Sequence, residues 1–292
     1  MQDDLVIIRP PSEAYSFLLP VTIGCSHNTC TFCSSYQGIK FQIRDISEIK
    51  DYVDQVARHY SRSVRRVFLE NGDALIAPQP LLVSVLAYIN EKFPSLERIG
   101  TYSSPRSVLK KSPDNLKELN TLGLKIAYLG VESGDPEVLR KINKGVTYEQ
   151  IVEAGKKLKQ AGIAVSATII LGLGGVEDSE KHALATAKIL TEIDPDYAGA
   201  LTLVLKPGTP LHHDWKEGKF SRISPLQSLQ ELKLIIGHSS FTKCFFTANH
   251  ASNYLPLRVR LPEQKEEAIK LLDDIITRKD ISQLRPDIMR AL

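Results

Sequence analysis

The hydrophobic positions of this chain alternate between two periods, and the alternation recurs along its first two thirds. Short apolar and β-branched runs at 17–24, 66–70, 98–102, 125–130, 164–171 and 197–204 predict strands. Between them, 46–59, 81–92, 113–122, 148–161 and 179–193 carry apolar residues at helical spacing and predict amphipathic helices. The 148–161 helix stops at Gly162, with Lys156, Lys157 and Lys159 near its C-terminal end, where the helix dipole favours cations. Gly123 stops the 113–122 helix in the same way.

No tight hairpin turn joins successive strands, and every connection is long enough for a crossover, so the strands pair in parallel. Polar residues and glycines recur just after the strands, where a βα barrel collects its site. The pattern predicts an α/β fold: a partial (β/α)6 TIM-like barrel over 1–215 and a short C-terminal helical extension over 216–292 packed on it. Within the extension, helices at 225–236 and 263–276 flank an irregular stretch at 244–262.

Composition changes this picture little. Hydrophobic residues make up 42% of the 292 positions and charged residues 24%, which is ordinary for a globular protein. A balance of 37 basic against 34 acidic residues, +3, is too small to argue for nucleic acid as a partner. Residues 1–5 are acidic and show no leader pattern, and the longest apolar run, 164–176, is interrupted by glycines. The expectation is a cytoplasmic protein without a membrane partner. In that reducing compartment clustered cysteines are metal ligands or catalytic groups more often than disulfides.

The run CSHNTCTFC places Cys25, Cys30 and Cys33, three of the four cysteines, in one loop after the first predicted strand. Three thiolates can hold one soft metal centre and leave an iron position open for a further ligand. From the residues alone a zinc site, with His27 as a fourth ligand, stays open beside an iron–sulfur site. The corresponding alternative is a non-enzymatic protein with zinc or a passive cluster at these cysteines.

With Phe32 directly before Cys33 and the loop following the first strand, the segment resembles the radical S-adenosylmethionine (SAM) superfamily. Here four residues separate the first two cysteines, where the family has three. Further motifs match in order: ENGDA at 70–74, YSSPR at 102–106, LGVESG at 129–134 continuing to VLRKINKG at 138–145, TIILGLGG at 168–175 and PGTPL at 207–211. Together they resemble the branch containing oxygen-independent coproporphyrinogen dehydrogenases, methylthiotransferases and the elongator subunit.

The resemblance implies a [4Fe–4S] cluster on Cys25, Cys30 and Cys33 and SAM on the remaining iron. It implies an electron from an external donor of flavodoxin or ferredoxin type, and a 5′-deoxyadenosyl radical that abstracts hydrogen from substrate. Gly72 and Asp73 would meet the SAM amino group, with Ser103 and Ser104 adding polar contacts. Glu132 would face the ribose and Lys144 the carboxylate; Thr168 stands where relatives often place a ribose-binding Asp. Ile170 would supply backbone hydrogen bonds to adenine and Gly172 would allow its close approach. No cobalamin domain, acetyltransferase or RNA-binding module is visible, so the expected substrate is a small or medium-sized molecule. His250, in the polar segment 248–254, is a candidate catalytic side chain at the barrel mouth, and Cys244 is expected to be an inert buried thiol.

Overall fold

A computed structural model describes residues 8–279 and 281–291; the acidic stretch 1–5 lies outside the described residues. Its strands are β1 (Phe17–Pro20), β2 (Thr22–Ile23), β3 (Gln42–Ile43), β4 (Arg66–Glu70), β5 (Arg98–Ser103), β6 (Leu124–Glu132), β7 (Ala164–Leu171), β8 (Tyr197–Thr202), β9 (Cys244–Thr247) and β10 (Arg258–Leu261). Its helices are α1 (Ile46–Tyr60), α2 (Gln79–Lys92), α3 (Pro105–Leu109), α4 (Pro113–Thr121), α5 (Pro136–Lys141), α6 (Tyr148–Gln160), α7 (Ser179–Ile193), α8 (Pro210–Lys216), α9 (Pro225–His238) and α10 (Lys265–Arg278). An eight-stranded sheet has the order β1-β4-β5-β6-β7-β8-β9-β10 and is mainly parallel, with β10 running antiparallel to β9. This is the α/β fold expected, in keeping with a partial (β/α)6 TIM-like architecture. Among the described residues no helix is long and apolar enough to cross a membrane.

Two expectations about the strands change. The predicted 17–24 strand splits, because Pro20 has no N–H to continue the ladder; Thr22 and Ile23 instead pair antiparallel with Ile43 and Gln42. The stretch 244–262 is not irregular throughout, since β9 and β10 form there and extend the sheet. Cys244 and Phe246 are buried while Phe245 faces out, but four residues are too few for that alternation to stand out.

The chain divides into two compact units. The first comprises Met1–Asn28, Ser35–Leu129 and Ala154–Val165. In it β4 buries four of five residues, as expected for a parallel strand covered on both faces. On one face Phe68 meets Tyr102 and Tyr128 edge-on at 4.9 and 5.5 Å, beside Ile126. Buried Glu13 accepts the Tyr128 hydroxyl at 2.6 Å and pairs with Arg98 at 2.8 Å. Residues of α1 (Ile49, Val53) and α2 (Leu82, Val85, Leu86, Ile89) are buried in its core.

The second unit comprises Thr29–Ser34, Gly130–Glu153 and Ser166–Leu292. Here α9 packs against α7 and α10, and the buried face of α7 includes Ala183, Ala187 and Leu190. Three short helices absent from the expected pattern, α3, α5 and α8, start at Ser104-Pro105, Asp135-Pro136 and Thr209-Pro210. In each, the capping side chain accepts a first-turn N–H and proline takes a position with no intrahelical N–H bond to lose.

Candidate cofactor site

In the first unit the cysteine loop leaves β2 through Gly24, whose φ is 75°, and the Gly24 carbonyl accepts the Gly72 N–H at 3.1 Å. A Cβ at position 72 would lie 2.6 Å from the Cβ of Cys25 and 2.9 Å from its Cα. Glycine is therefore required sterically at the predicted Gly72 contact, and its backbone forms a cradle for the first cysteine. Asn28 turns through the left-handed region at φ 39°, a conformation asparagine tolerates, and its amide donates to the Tyr36 and Ile39 carbonyls at 2.7 and 3.2 Å. His27 presents Nδ1 to the Arg106 guanidinium at 3.0 Å, so that nitrogen accepts a hydrogen bond from Arg106.

Asp73 is completely buried and engaged by the protein itself. It accepts from the Ser26 hydroxyl at 2.7 Å, the Ser104 hydroxyl at 2.8 Å and the Ser104 N–H at 3.1 Å. It thereby ties the cysteine loop to the end of β5. Ser104 is also the cap of α3, with its hydroxyl accepting the Ser107 N–H, and Ser103 donates to the Tyr128 carbonyl at 3.3 Å. Lys111, buried nearby, donates to the Ala77 carbonyl at 2.6 Å. Burial lowers its pKa, and the charge of Asp73 opposes that shift.

In the second unit lie Cys30 and Cys33, half-buried, with the Cys33 N–H donating to the Cys30 carbonyl at 3.2 Å. Thr31 is stitched to Ile142 and Leu211 by backbone bonds of 3.0 Å each, and Asn143 Nδ2 donates to the Thr29 carbonyl at 3.1 Å. Glu132 and Lys144 come together as an ion pair at 2.9 Å. Glu132 ends β6 at φ 63°, a strained conformation for a non-glycine residue. A side chain at Gly130 would come within 2.5 Å of that carboxylate.

Thr168 is half-buried in β7, in register with Gly199. The Ile170 carbonyl faces His182 Nε2 at 3.1 Å, and Gly172, at φ 85°, donates its N–H to Glu231 Oε2 at 2.7 Å. His250 lies in the loop after β9, where Nδ1 accepts the Ser252 N–H at 3.1 Å and faces its hydroxyl at 2.9 Å. Burial and then Arg285 lower its pKa. Its neighbours are loop groups that fix the turn.

Two residues outside the sequence motifs, His182 and Glu231, hydrogen-bond to this unit's candidates, and His182 also meets Ser133, a motif residue given no role from the sequence. His182 Nδ1 meets the Ser133 hydroxyl at 2.8 Å, and Glu231 accepts from Ser179 as well as Gly172. A buried His on the inner face of a helix and a buried Glu in an apolar helix were the available signals, since neither type belongs inside without a partner.

Whether the donors fit a metal centre turns on the loop. None of the four cysteines is in a disulfide, and among the described residues no three His, Cys, Asp or Glu side chains already stand at metal-binding distance. In the first unit the half-buried Cys25 sits on the Gly72 cradle, and in the second the half-buried Cys30 and Cys33 flank a buried Thr31 hydroxyl with no partner; thiols of this kind suit a soft metal centre.

Comparison with known proteins agrees. The family model described as the radical SAM superfamily matches residues 19–187. An uncharacterised methyltransferase of Pyrococcus horikoshii is 26% identical over 71% of this chain and 45% of its own length. A tRNA-2-methylthio-N(6)-dimethylallyladenosine synthase of Methylobacillus flagellatus is 29% identical over 76% of this chain and 52% of that protein. The chain thus spans about half the length of these curated relatives. Among solved structures, the Escherichia coli coproporphyrinogen III oxidase, described as a radical SAM enzyme, superposes with a TM-score of 0.58. The match has 20% identity and covers 76% of this chain and 51% of that one.

Proposed function

Because the chain belongs to the radical SAM superfamily, we propose that it is an enzyme that cleaves SAM reductively and acts on a small or medium-sized molecule. Cys25, Cys30 and Cys33 would hold the [4Fe–4S] cluster. When bound, that cluster supplies the electron that cleaves SAM to a 5′-deoxyadenosyl radical, which abstracts hydrogen from substrate. The observation that carries this reading is the cysteine loop within the matched region, with its first thiol seated on a glycine that no other residue could replace without displacing it.

The chain's own groups then have definite work. Gly72 lets the loop approach, and Asp73 holds the loop through Ser26 and the β5 end through Ser104. This makes Asp73 a support of the SAM amino-group region; its contact with SAM itself would add to three protein bonds already made. Glu132 and Lys144 present a paired carboxylate and ammonium, each able to exchange part of that pairing for ribose hydroxyls and the SAM carboxylate. Thr168 would face the ribose and Ile170 and Gly172 the adenine, while Ser103 and His250 carry no further support from their surroundings. The names of the relatives fit a transferase as readily as an oxidoreductase, with electrons from a flavodoxin- or ferredoxin-type donor.

The test is anaerobic reconstitution with iron and sulfide, followed by SAM and a strong reductant. Wild type should take up iron and release 5′-deoxyadenosine, and a protein with all three loop cysteines changed to alanine should do neither. Folded wild type that takes up no iron, or leaves SAM intact, would sink the reading. Deuterium transfer from labelled metabolites into 5′-deoxyadenosine then identifies the substrate class.

A further inference from the structure

Glu231 is an unusual residue for its place. It sits on α9, outside the family-matched region, and is 0% exposed. Among the described residues its one ion-pair neighbour is His182, whose Nε2 stands 3.9 Å from Oε2. Burying a carboxyl without a strong cationic partner is costly, and leucine on this face of α9 would carry no such penalty. What the carboxyl does make are two short hydrogen bonds, from the Gly172 N–H and the Ser179 hydroxyl, both at 2.7 Å. Gly172 lies in the left-handed region at φ 85°, so the direction of its N–H belongs to a turn that needs an external acceptor to hold it.

His182 works one layer away. The Ile170 carbonyl can only accept, so Nε2 carries the ring proton, and Nδ1 accepts from the Ser133 hydroxyl. The Ser133 oxygen in turn accepts the Asp135 N–H at 3.0 Å. The neighbouring Gly134 N–H donates to Thr186 on α7, and its Cα lies so close to that helix that a Cβ would stand 2.0 Å from the Ala185 carbonyl oxygen. Burial keeps the imidazole neutral, with its pKa lowered to about 4.

We infer that Glu231 and His182 are positioning residues for the adenosine end of SAM. Glu231 aims the Gly172 turn, and His182 locks Ile170 to the segment that carries Glu132. This rests on the assignment of Gly172, Ile170 and Glu132 to SAM made above. It adds a role for the C-terminal extension: α9 sets the geometry of a cofactor segment located on β7. The carboxyl can fill the role ionised or neutral, since a protonated acid still accepts from Gly172 while donating to the Ser179 oxygen.

The experiment uses the anaerobically reconstituted full-length chain and measures dissociation constants for 5′-deoxyadenosine and for SAM by equilibrium dialysis, beside iron content and thermal melting. Glu231→Leu should weaken both ligands by about tenfold, a loss of one well-oriented contact, with iron content unchanged. Glu231→Gln, whose amide can accept from Gly172 and donate to Ser179, should restore both to within about threefold of wild type. If Glu231→Leu does not fold, His182→Leu carries the same comparison and the same expected loss. A folded variant that binds both ligands like wild type, or loses SAM alone, overturns the inference while leaving the proposed function standing. Wild type that holds iron yet binds neither ligand overturns both.

Discussion

Asp73 and Glu231 are fully buried acids, one in each compact unit, and the protein surrounds them differently. Asp73 receives three hydrogen bonds from Ser26 and Ser104, and the buried ammonium of Lys111 lies within its electrostatic reach. Glu231 receives two and has no lysine or arginine partner among the described residues, so burial dominates and pushes its pKa up to about 7. The difference shows that donors and nearby cations, and not burial alone, decide how a protein carries an interior carboxyl. It also separates two tasks: Asp73 ties two chain segments together, whereas Glu231 orients one backbone N–H.

The largest expected effect follows from removing the more heavily bonded acid. Asp73→Ala removes three hydrogen bonds, from the Ser26 hydroxyl and from the Ser104 hydroxyl and N–H, together with the carboxylate beside the buried Lys111 ammonium, and should destabilise by about 4 kcal/mol in urea unfolding. A loss under about 1 kcal/mol would mean that those bonds carry little and that the contrast with Glu231 is empty.

The second prediction sharpens the contrast through pH. Glu231 has its folded pKa raised from 4.5 to about 7, so between those values the native state holds the extra proton and stability falls as pH rises. His182 has its folded pKa lowered from 6.5 to about 4, so in that window the unfolded state holds the extra proton and stability rises with pH. Each contribution is about 3 kcal/mol, and from pH 4.5 to 6.5 the two oppose one another. Glu231→Gln removes the falling limb. Its stability relative to wild type should therefore climb by about 2 kcal/mol between those pH values, read from urea midpoints. Parallel pH profiles for the two proteins would refute this account of the pair.

Next in size, Gly72→Ala forces a methyl group against Cys25 and should cost about 2 kcal/mol. Its iron content after reconstitution should drop more than its melting temperature suggests; unchanged iron would detach the Gly72 cradle from the cluster. The smallest effect is Glu231→Leu near neutral pH. Relief from carboxyl burial offsets the Gly172 N–H left without an acceptor, and the net change should stay within about 1 kcal/mol. A loss as large as that for Asp73→Ala would erase the distinction between the two acids.

Much of the fold was legible because strands β4 to β8 and helices α1, α2, α4, α6 and α7 are long enough for their periods to declare themselves. The helices α3, α5 and α8 were missed although Ser-Pro, Asp-Pro and Thr-Pro mark each start, because five to seven residues carry too little apolar period to draw attention. Strands β9 and β10 were missed for the same reason. At the candidate site, the spacing of cysteines and glycines singled out the segments proposed to hold the cofactors. It could not show that Asp73 is already held by Ser26 and Ser104, that Ser104 caps a helix, or that Glu132 and Lys144 pair.

The chain by itself determined the family, the alternation of strand and helix and the three thiols of the loop, because these depend on residue type and local spacing. Tertiary structure alone decided which polar groups meet across long separations: Ser26 with Asp73, and Gly172 with Glu231, 59 positions away. Hydrogen-bond partners and burial are set by how distant segments pack. No period or spacing encodes whether an interior acid will find donors, a cation, or only one backbone N–H and a hydroxyl.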